Sequence, residues 1–394
     1  MLKKVLLGAL VTAVLLIAIE SASRVLYSIR TDMREEEPQW FVLSPDLGWT
    51  RRPNFRGGVG GYDREFDAEG YFKIDSRPTD PSARKVMFLG DSNTFGWGAP
   101  TPDVFAEYLP TLLPDVAPVD LGVVGASSYQ GRVALAKYLP ILKPSVVVVS
   151  YNFNDRRYVP SPDDIDSAEA FERQWRRTVG IPGAISTVLT FSKTTRIMRS
   201  AMERSGIVVE VPKQIDVSKV VPRVTEENYR RNLEEIARQT SQNHIPLVFI
   251  LLKDNPLETD FLNRGIEKLS SGDPAGAAVI LSKAVVRDNT FSDLARLYLS
   301  KALRAVGRNE EAEKVLISPM LRDMTGGRPV RLDRDYNRIM EEVAAQYGVA
   351  IVDPRKAIDE EPGDYVDFCH FNAAAHHKVA TLLAQQLSQL QAHK

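Results

Sequence analysis

The chain of 394 residues contains one cysteine, Cys369, so it forms no intramolecular disulfide and no cysteine-rich zinc or iron–sulfur site. It carries no excess of either charge. Fifty Lys and Arg against 51 Asp and Glu leave a net charge of -1, with no field to draw in DNA or RNA, and nucleic acid is not an expected partner. Histidine is also scarce, confined to His244, His370, His376, His377 and His393, so a general base has few candidates. Apolar residues are not lacking. At 44% they support a core large enough for one large domain with an insertion, or for two domains.

At the N-terminus Lys3 and Lys4 precede an apolar or small stretch from Val5 to Ile19, which Glu20 and Arg24 end. This is the layout of a signal sequence. The run is short against the roughly 20 residues of a bilayer crossing, though Val25, Leu26 and Tyr27 extend it. Ser21-Ala22-Ser23, the nearest small cluster, lies between charges and suits a retained anchor better than a cleavage site. The expectation is a signal-anchor or signal peptide over 1–30. Lys3 and Lys4 stay inside, and a body held at the cell membrane, or secreted after cleavage, lies outside the cytoplasm.

Residues 31–84 are rich in Pro, Gly and charge, with Trp40, Trp49 and Phe55 scattered among them, and predict a linker passing into irregular or short-stranded cover. Beyond them, short Val/Leu/Ile-rich runs at Lys85 to Leu89, Ala117 to Val124, Ser145 to Tyr151, Pro246 to Leu252 and Val349 to Val352 predict strands buried on both faces. Amphipathic helices are predicted over Val104 to Leu113, Arg132 to Leu142, Glu226 to Gln239 and Asp335 to Tyr347. This alternation predicts an α/β fold, a three-layer α/β/α sandwich on a parallel sheet, built from 85–254 and 320–394.

Two segments break the pattern. Tyr158 to Arg223, dotted with Arg173, Arg176, Arg177, Lys193, Arg196 and Arg199, is a candidate lid or a stretch of solvated helical packing. Within 255–319, Gly272-Asp273 with Ala277 recurs as Gly307-Arg308 with Ala312, an offset of 35 residues. The segment resembles a degenerate pair of tetratricopeptide repeats, whose period is about 34, or else is an ordinary helical hairpin insertion. A protein partner would bind there.

The chemistry concentrates at strand ends. Lys85-Val86-Met87-Phe88-Leu89-Gly90-Asp91-Ser92 runs an apolar strand into a tight turn that presents the Ser92 hydroxyl, with the following helix aiming N–H groups at the same point. Thr94 stands where the G-x-S-x-G elbow has its second glycine, so this is a different turn. Serine needs a base, itself oriented by a third group. Asp367 and His370, three apart in Tyr365-Val366-Asp367-Phe368-Cys369-His370, supply that pair from one helical turn or tight loop. Oxyanion donors are offered by the Ser92 backbone N–H, by the Gly125 N–H in Asp120-Leu121-Gly122-Val123-Val124-Gly125, and by the Asn154 amide in Tyr151-Asn152-Phe153-Asn154-Asp155.

Taken in order, these blocks resemble the SGNH/GDSL hydrolase family over Lys85 to about Leu387. The resemblance implies a flavodoxin-like sandwich, no metal and no organic cofactor. It implies Ser92, Asp367 and His370 as a triad, with Ser92, Gly125 and Asn154 as the oxyanion hole. One departure is Asn152, where the family's third block, Gly-x-Asn-Asp, has glycine. Taken singly, Gly90-Asp91-Ser92 is a common turn, and Asp367 is an ordinary helix cap. Their joint order favours catalysis. His376 and His377 are expected at the surface or behind the site, with either an alternative base, and Cys369 is expected as a small buried packing residue.

The expected activity is hydrolysis of an acyl ester, with carbohydrate O-acyl (O-acetyl among them) or lipid esters as substrate. The alternatives are an O-acyltransferase acting on envelope or exported polysaccharide, and a non-catalytic scaffold built on the helical insertion.

Overall fold

Five apolar runs form one parallel sheet: β1 (Arg84–Gly90), β2 (Val116–Asp120), β3 (Val146–Ser150), β4 (Leu247–Ile250) and β5 (Ala350–Val352). The strand order is β5-β4-β3-β1-β2, and every pairing is parallel. In a strand, successive side chains point to opposite faces. Met87 and Leu89 of β1 accordingly join one core cluster with Val147 and Val149 of β3, while Val86 and Phe88 join another with Val146 and Val148. The first cluster is closed by helices Ser128–Leu142, Glu226–Gln242 and Asn337–Tyr347, the second by Phe105–Leu112 and Ala373–Ala392. The result is the expected three-layer α/β/α sandwich. The sheet reverses its winding between β1 and β3, and in such sheets ligands bind at the carboxyl ends of the strands beside that crossover.

The computed structural model describes residues 11–24 except 13, 40–73, 82–179 except 160, 194, 221–253, 256–315 except 286–289, and 336–392 except 359–362 and 368. Lys3, Lys4, Val25, Lys193, Arg196 and Arg199, which entered the anchor and lid expectations, lie outside these residues. The chain divides into two compact units, one of 1–39 with 172–212 and one of 40–171 with 213–394. In the first unit, residues 14–24 are helical and expose Val14, Leu15, Leu16, Ile17 and Ile19. Among the described residues, no helix is long and apolar enough to cross a membrane.

In the second unit, the expected cover is more ordered than its composition suggests. Phe41–Ser44 pairs antiparallel with Gly48–Arg51, and Arg56–Val59 with Tyr62–Glu65. Phe55, Val59, Phe66 and Phe72 from this segment bury against Phe95, just beyond Ser92. The ends of the lid candidate are tied together, Tyr158–Val159 pairing with Val221–Pro222.

Between β4 and β5 stand helices Pro256–Ser270, Pro274–Ala284, Thr290–Ala305 and Asn309–Val315. Their turns hold Gly272 and Gly307 at φ +84 and +80, a region that glycine enters at little cost, and Ala277 and Ala312 are both fully buried. This insertion has its own core, which includes Cys369 and touches Phe153. Cys369 is therefore a packing residue, as its size suggested.

His376 departs from a surface placement. Its ring stacks 5.6 Å from Phe105, receives the Phe105 N–H at Nδ1 and is wholly buried. Burial, reinforced by the positive Arg64, pushes its pKa down to about 3. In the unfolded chain the ring titrates near its ordinary value, so between those two pH values the unfolded state binds the extra proton. Stability from this group is complete above about 6.5 and is lost as pH falls toward 3, at up to about 1.4 kcal/mol per pH unit. His376→Leu should flatten the fall in unfolding free energy between pH 6 and 4, measured by denaturant titration. Parallel slopes in the two proteins would remove this assignment.

Candidate active site

The serine turn is set by close packing at the end of β1. A Cβ on Gly90 would lie 1.9 Å from Thr94 Oγ1 and 2.7 Å from Ser150 Oγ, so only glycine fits. Asp91 then caps the short helix Ser92–Phe95, its carboxylate accepting the Asn93 N–H at 2.9 Å. This leaves the Ser92 hydroxyl projecting from the strand end, 2.7 Å from His370 Nε2. On the far side of the ring, His370 Nδ1 lies 2.7 Å from Asp367 Oδ2.

Asp367 and His370 are held by a tight loop rather than by a helical turn. The other carboxylate oxygen, Oδ1, accepts the backbone N–H groups of Cys369 and His370 at 3.0 and 2.9 Å. Burial drives the Asp367 carboxyl upward in pKa, but the hydrogen bonds from the His370 ring and these backbone groups outweigh it and hold the pKa below the usual value. An ionised carboxylate only accepts, so the shared proton sits on Nδ1 and the Nε2 lone pair faces the serine.

Asn93 is a member of the site that motif reading missed. Its Nδ2 donates to the Cys369 carbonyl at 3.0 Å, and its Oδ1 accepts the Phe371 N–H at 3.2 Å. One side chain thus grips the backbone on both sides of His370 from the residue next to Ser92. No local signal reveals this, because the partners are more than 270 positions away.

Asn154 lies beyond β3 in the short helix Phe153–Arg156 and donates to Asp91 Oδ2 at 3.2 Å. A primary amide has two N–H groups, so a second remains for another acceptor. Asn152, the departure from the glycine pattern, has φ -164 and ψ -65, outside the left-handed region that favours glycine, and its amide donates to the Leu252 carbonyl at 3.4 Å. Burial pushes Asp155 up to about 7 although its carboxylate accepts the Ser128 N–H at 2.9 Å.

Gly125 follows β2 with φ +78. Its loop is pressed onto the serine turn. A Cβ on Gly122 would lie 2.6 Å from the Phe95 backbone nitrogen, and Val123 N–H donates to the Gly90 carbonyl at 3.1 Å. Two buried arginines from the N-terminal hairpins brace these turns. Arg51 pairs with Asp120 at 2.9 Å and donates to the Gly122 carbonyl, while Arg64 donates to the Gly96 and Ala99 carbonyls, each at 2.7 Å. Composition marked that segment only as cover, because a buried arginine has no pattern of its own.

Asp367, Cys369 and His370 also place ligand-type atoms within 4.8 Å of one another. Carboxylate and imidazole there are already engaged with each other, and Cys369 is turned into the core of the insertion. The arrangement is better suited to moving a proton than to holding an ion.

A hydroxyl, an imidazole and a carboxylate in line at the crossover of a flavodoxin-type sheet are the equipment of a serine hydrolase. The chain matches the GDSL-like Lipase/Acylhydrolase family over residues 88–378; it belongs to that family and is an SGNH-type ester hydrolase. Among solved structures it is similar to the esterase EstA from Pseudoalteromonas sp., at 8% identity, covering 78% of this chain and 98% of that one with a TM-score of 0.37. It is also similar to a catalytic mutant of an acetylxylan esterase from Geobacillus stearothermophilus, at 13% identity over 78% of this chain and 95% of that one, TM-score 0.34. No curated protein matches it in sequence.

Proposed function

We propose that this enzyme is a serine esterase in which Ser92 is the nucleophile, His370 the general base and acid, and Asp367 the carboxylate that orients it. The supporting observation is the unbroken line Ser92 Oγ–His370 Nε2 and His370 Nδ1–Asp367 Oδ2, each at 2.7 Å. Ser92 Oγ attacks the ester carbonyl carbon while its proton passes to Nε2. The carbonyl oxygen becomes an oxyanion, received by the N–H groups of Ser92 and Gly125 and the Asn154 amide. As the carbonyl re-forms, the C–O bond to the alcohol breaks and His370 returns the proton to the departing oxygen. Water then attacks the acyl-enzyme by the same route and frees Ser92.

The substrate class we propose is a carbohydrate O-acyl ester, O-acetyl included, met outside the cytoplasm by an enzyme held at the membrane. Support for the location is the Lys3-Lys4 start, the apolar run that follows, and the exposure of Leu15, Leu16 and Ile17 on its helix, a surface that favours lipid over water. The helical insertion is proposed as a tetratricopeptide-like pair, on the strength of its matched glycine turns and buried alanines.

A fluorophosphonate reagent tests the nucleophile without knowledge of the substrate. One label per chain is expected, mapping to the peptide that contains Ser92. A label on another residue, or none, would overturn the assignment.

A further inference from the structure

The Gly125 loop is held by side chains from two distant parts of the chain. Trp49, on the N-terminal hairpin, donates its indole Nε1–H to the Val124 carbonyl at 3.0 Å. Arg223, at the far end of the 158–223 connection, donates through Nη1 to the Gly125 carbonyl. The Ala126 N–H is occupied as well, donating to the Val123 carbonyl at 2.9 Å. Both peptide groups flanking Gly125 are therefore pinned. In this stretch the Gly125 N–H is left with no hydrogen-bond partner among the described residues.

A trans peptide is planar, with its C=O and N–H pointing in opposite directions. Fixing the Val124 carbonyl on the indole therefore fixes the direction of the Gly125 N–H, away from Trp49. Gly125 at φ +78 has no side chain to resist rotation of that peptide, so an external clamp is what holds it. The clamp is itself rigid. The Arg223 guanidinium lies 5.3 Å from the Trp49 ring, and its remaining donors go to Asp166 and Gln130, each at 2.9 Å. Gln130 in turn donates to the Leu47 carbonyl, closing the network back onto the hairpin that carries Trp49.

We infer that Trp49 and Arg223 are positioning residues that aim the Gly125 N–H at the developing oxyanion, Trp49 also strengthening it as a donor. The inference rests on the serine-esterase reading. When an oxyanion draws on the Gly125 N–H, the Val124 carbonyl becomes the stronger acceptor, and the indole bond behind it tightens. Neither residue touches the substrate. Their effect falls on charge that exists only in the transition state, and so on kcat rather than KM.

The full-length enzyme and its Trp49→Phe variant would be compared on p-nitrophenyl acetate and with a fluorophosphonate. Phenylalanine keeps an aromatic ring for Arg223 and Phe171 but removes the donor. The expected result is a fall in kcat of about 10- to 100-fold with KM nearly unchanged, and a matching fall in the rate of Ser92 phosphonylation. Wild-type enzyme labelled with nitrogen-15 tryptophan gives a readout that does not depend on a variant folding. The Trp49 indole N–H signal, identified by its absence from the variant, should move downfield on phosphonylation. If it stays in place, or if the variant's loss is carried by KM, the inference falls while the esterase reading stands. If wild-type Ser92 is not phosphonylated at all, the esterase reading fails first.

Discussion

Replacing Ser92 with alanine should lower kcat for p-nitrophenyl acetate by about ten-thousand-fold or more, with the fold intact. The substitution removes one oxygen whose partner is the His370 ring, and it leaves Gly90, the Asp91 cap and the Asn93 grip in place. Unfolding by denaturant should therefore change little. On the proposed mechanism, what is lost is the atom that forms the acyl-enzyme, and the oxyanion donors alone would offer only the residual acceleration of a positioned water. Activity within tenfold of wild type would mean that another residue attacks the ester, and the reading of the site would have to be abandoned.

Asp367→Asn should cost about 1,000- to 10,000-fold in kcat, for a different reason. The carboxylate uses one oxygen for the His370 ring and the other for two backbone N–H groups. An asparagine has a single acceptor oxygen, so one of those duties must be met by an NH2 group facing a donor. If the amide oxygen stays with the backbone, the NH2 faces Nδ1 and forces the proton onto Nε2, where the ring no longer accepts from Ser92. If it turns to the ring, the loop that places His370 loses its anchor. Both arrangements lower kcat, and both should lower the rate of phosphonylation in the same proportion. A variant that retains wild-type phosphonylation would show that Asp367 does not orient the base.

Much of this was legible in the chain itself. Short β-branched runs bounded by turns foretold each strand of the sheet, since a strand buried on both faces has no room for polar residues. Ser92, His370, Asp367 and Asn154 stood out as candidates for a different reason: each block is ordinary alone, but their joint order along the chain resembles that of the SGNH/GDSL family. His376 was harder to place, because a histidine buried against Phe105 and one exposed on a helix look the same in sequence. Burial is a property of the neighbours that tertiary packing brings.

Asn93, Trp49, Arg51 and Arg223 show the same limit. Each acts on a backbone carbonyl or N–H group far along the chain, and a backbone group has no identity that a sequence could display.

Local patterning thus determined the kinds of element and their order and marked the candidate reactive groups, because side-chain periodicity and turn chemistry are short-range properties of the chain. Convergence was decided by the tertiary structure. The crossover between β1 and β3 brings the serine turn and the Asn154 loop side by side, and the last helix of the sandwich returns the Asp367–His370 loop to meet them. The distance between two atoms 278 residues apart depends on how every layer between them packs, which no local segment encodes.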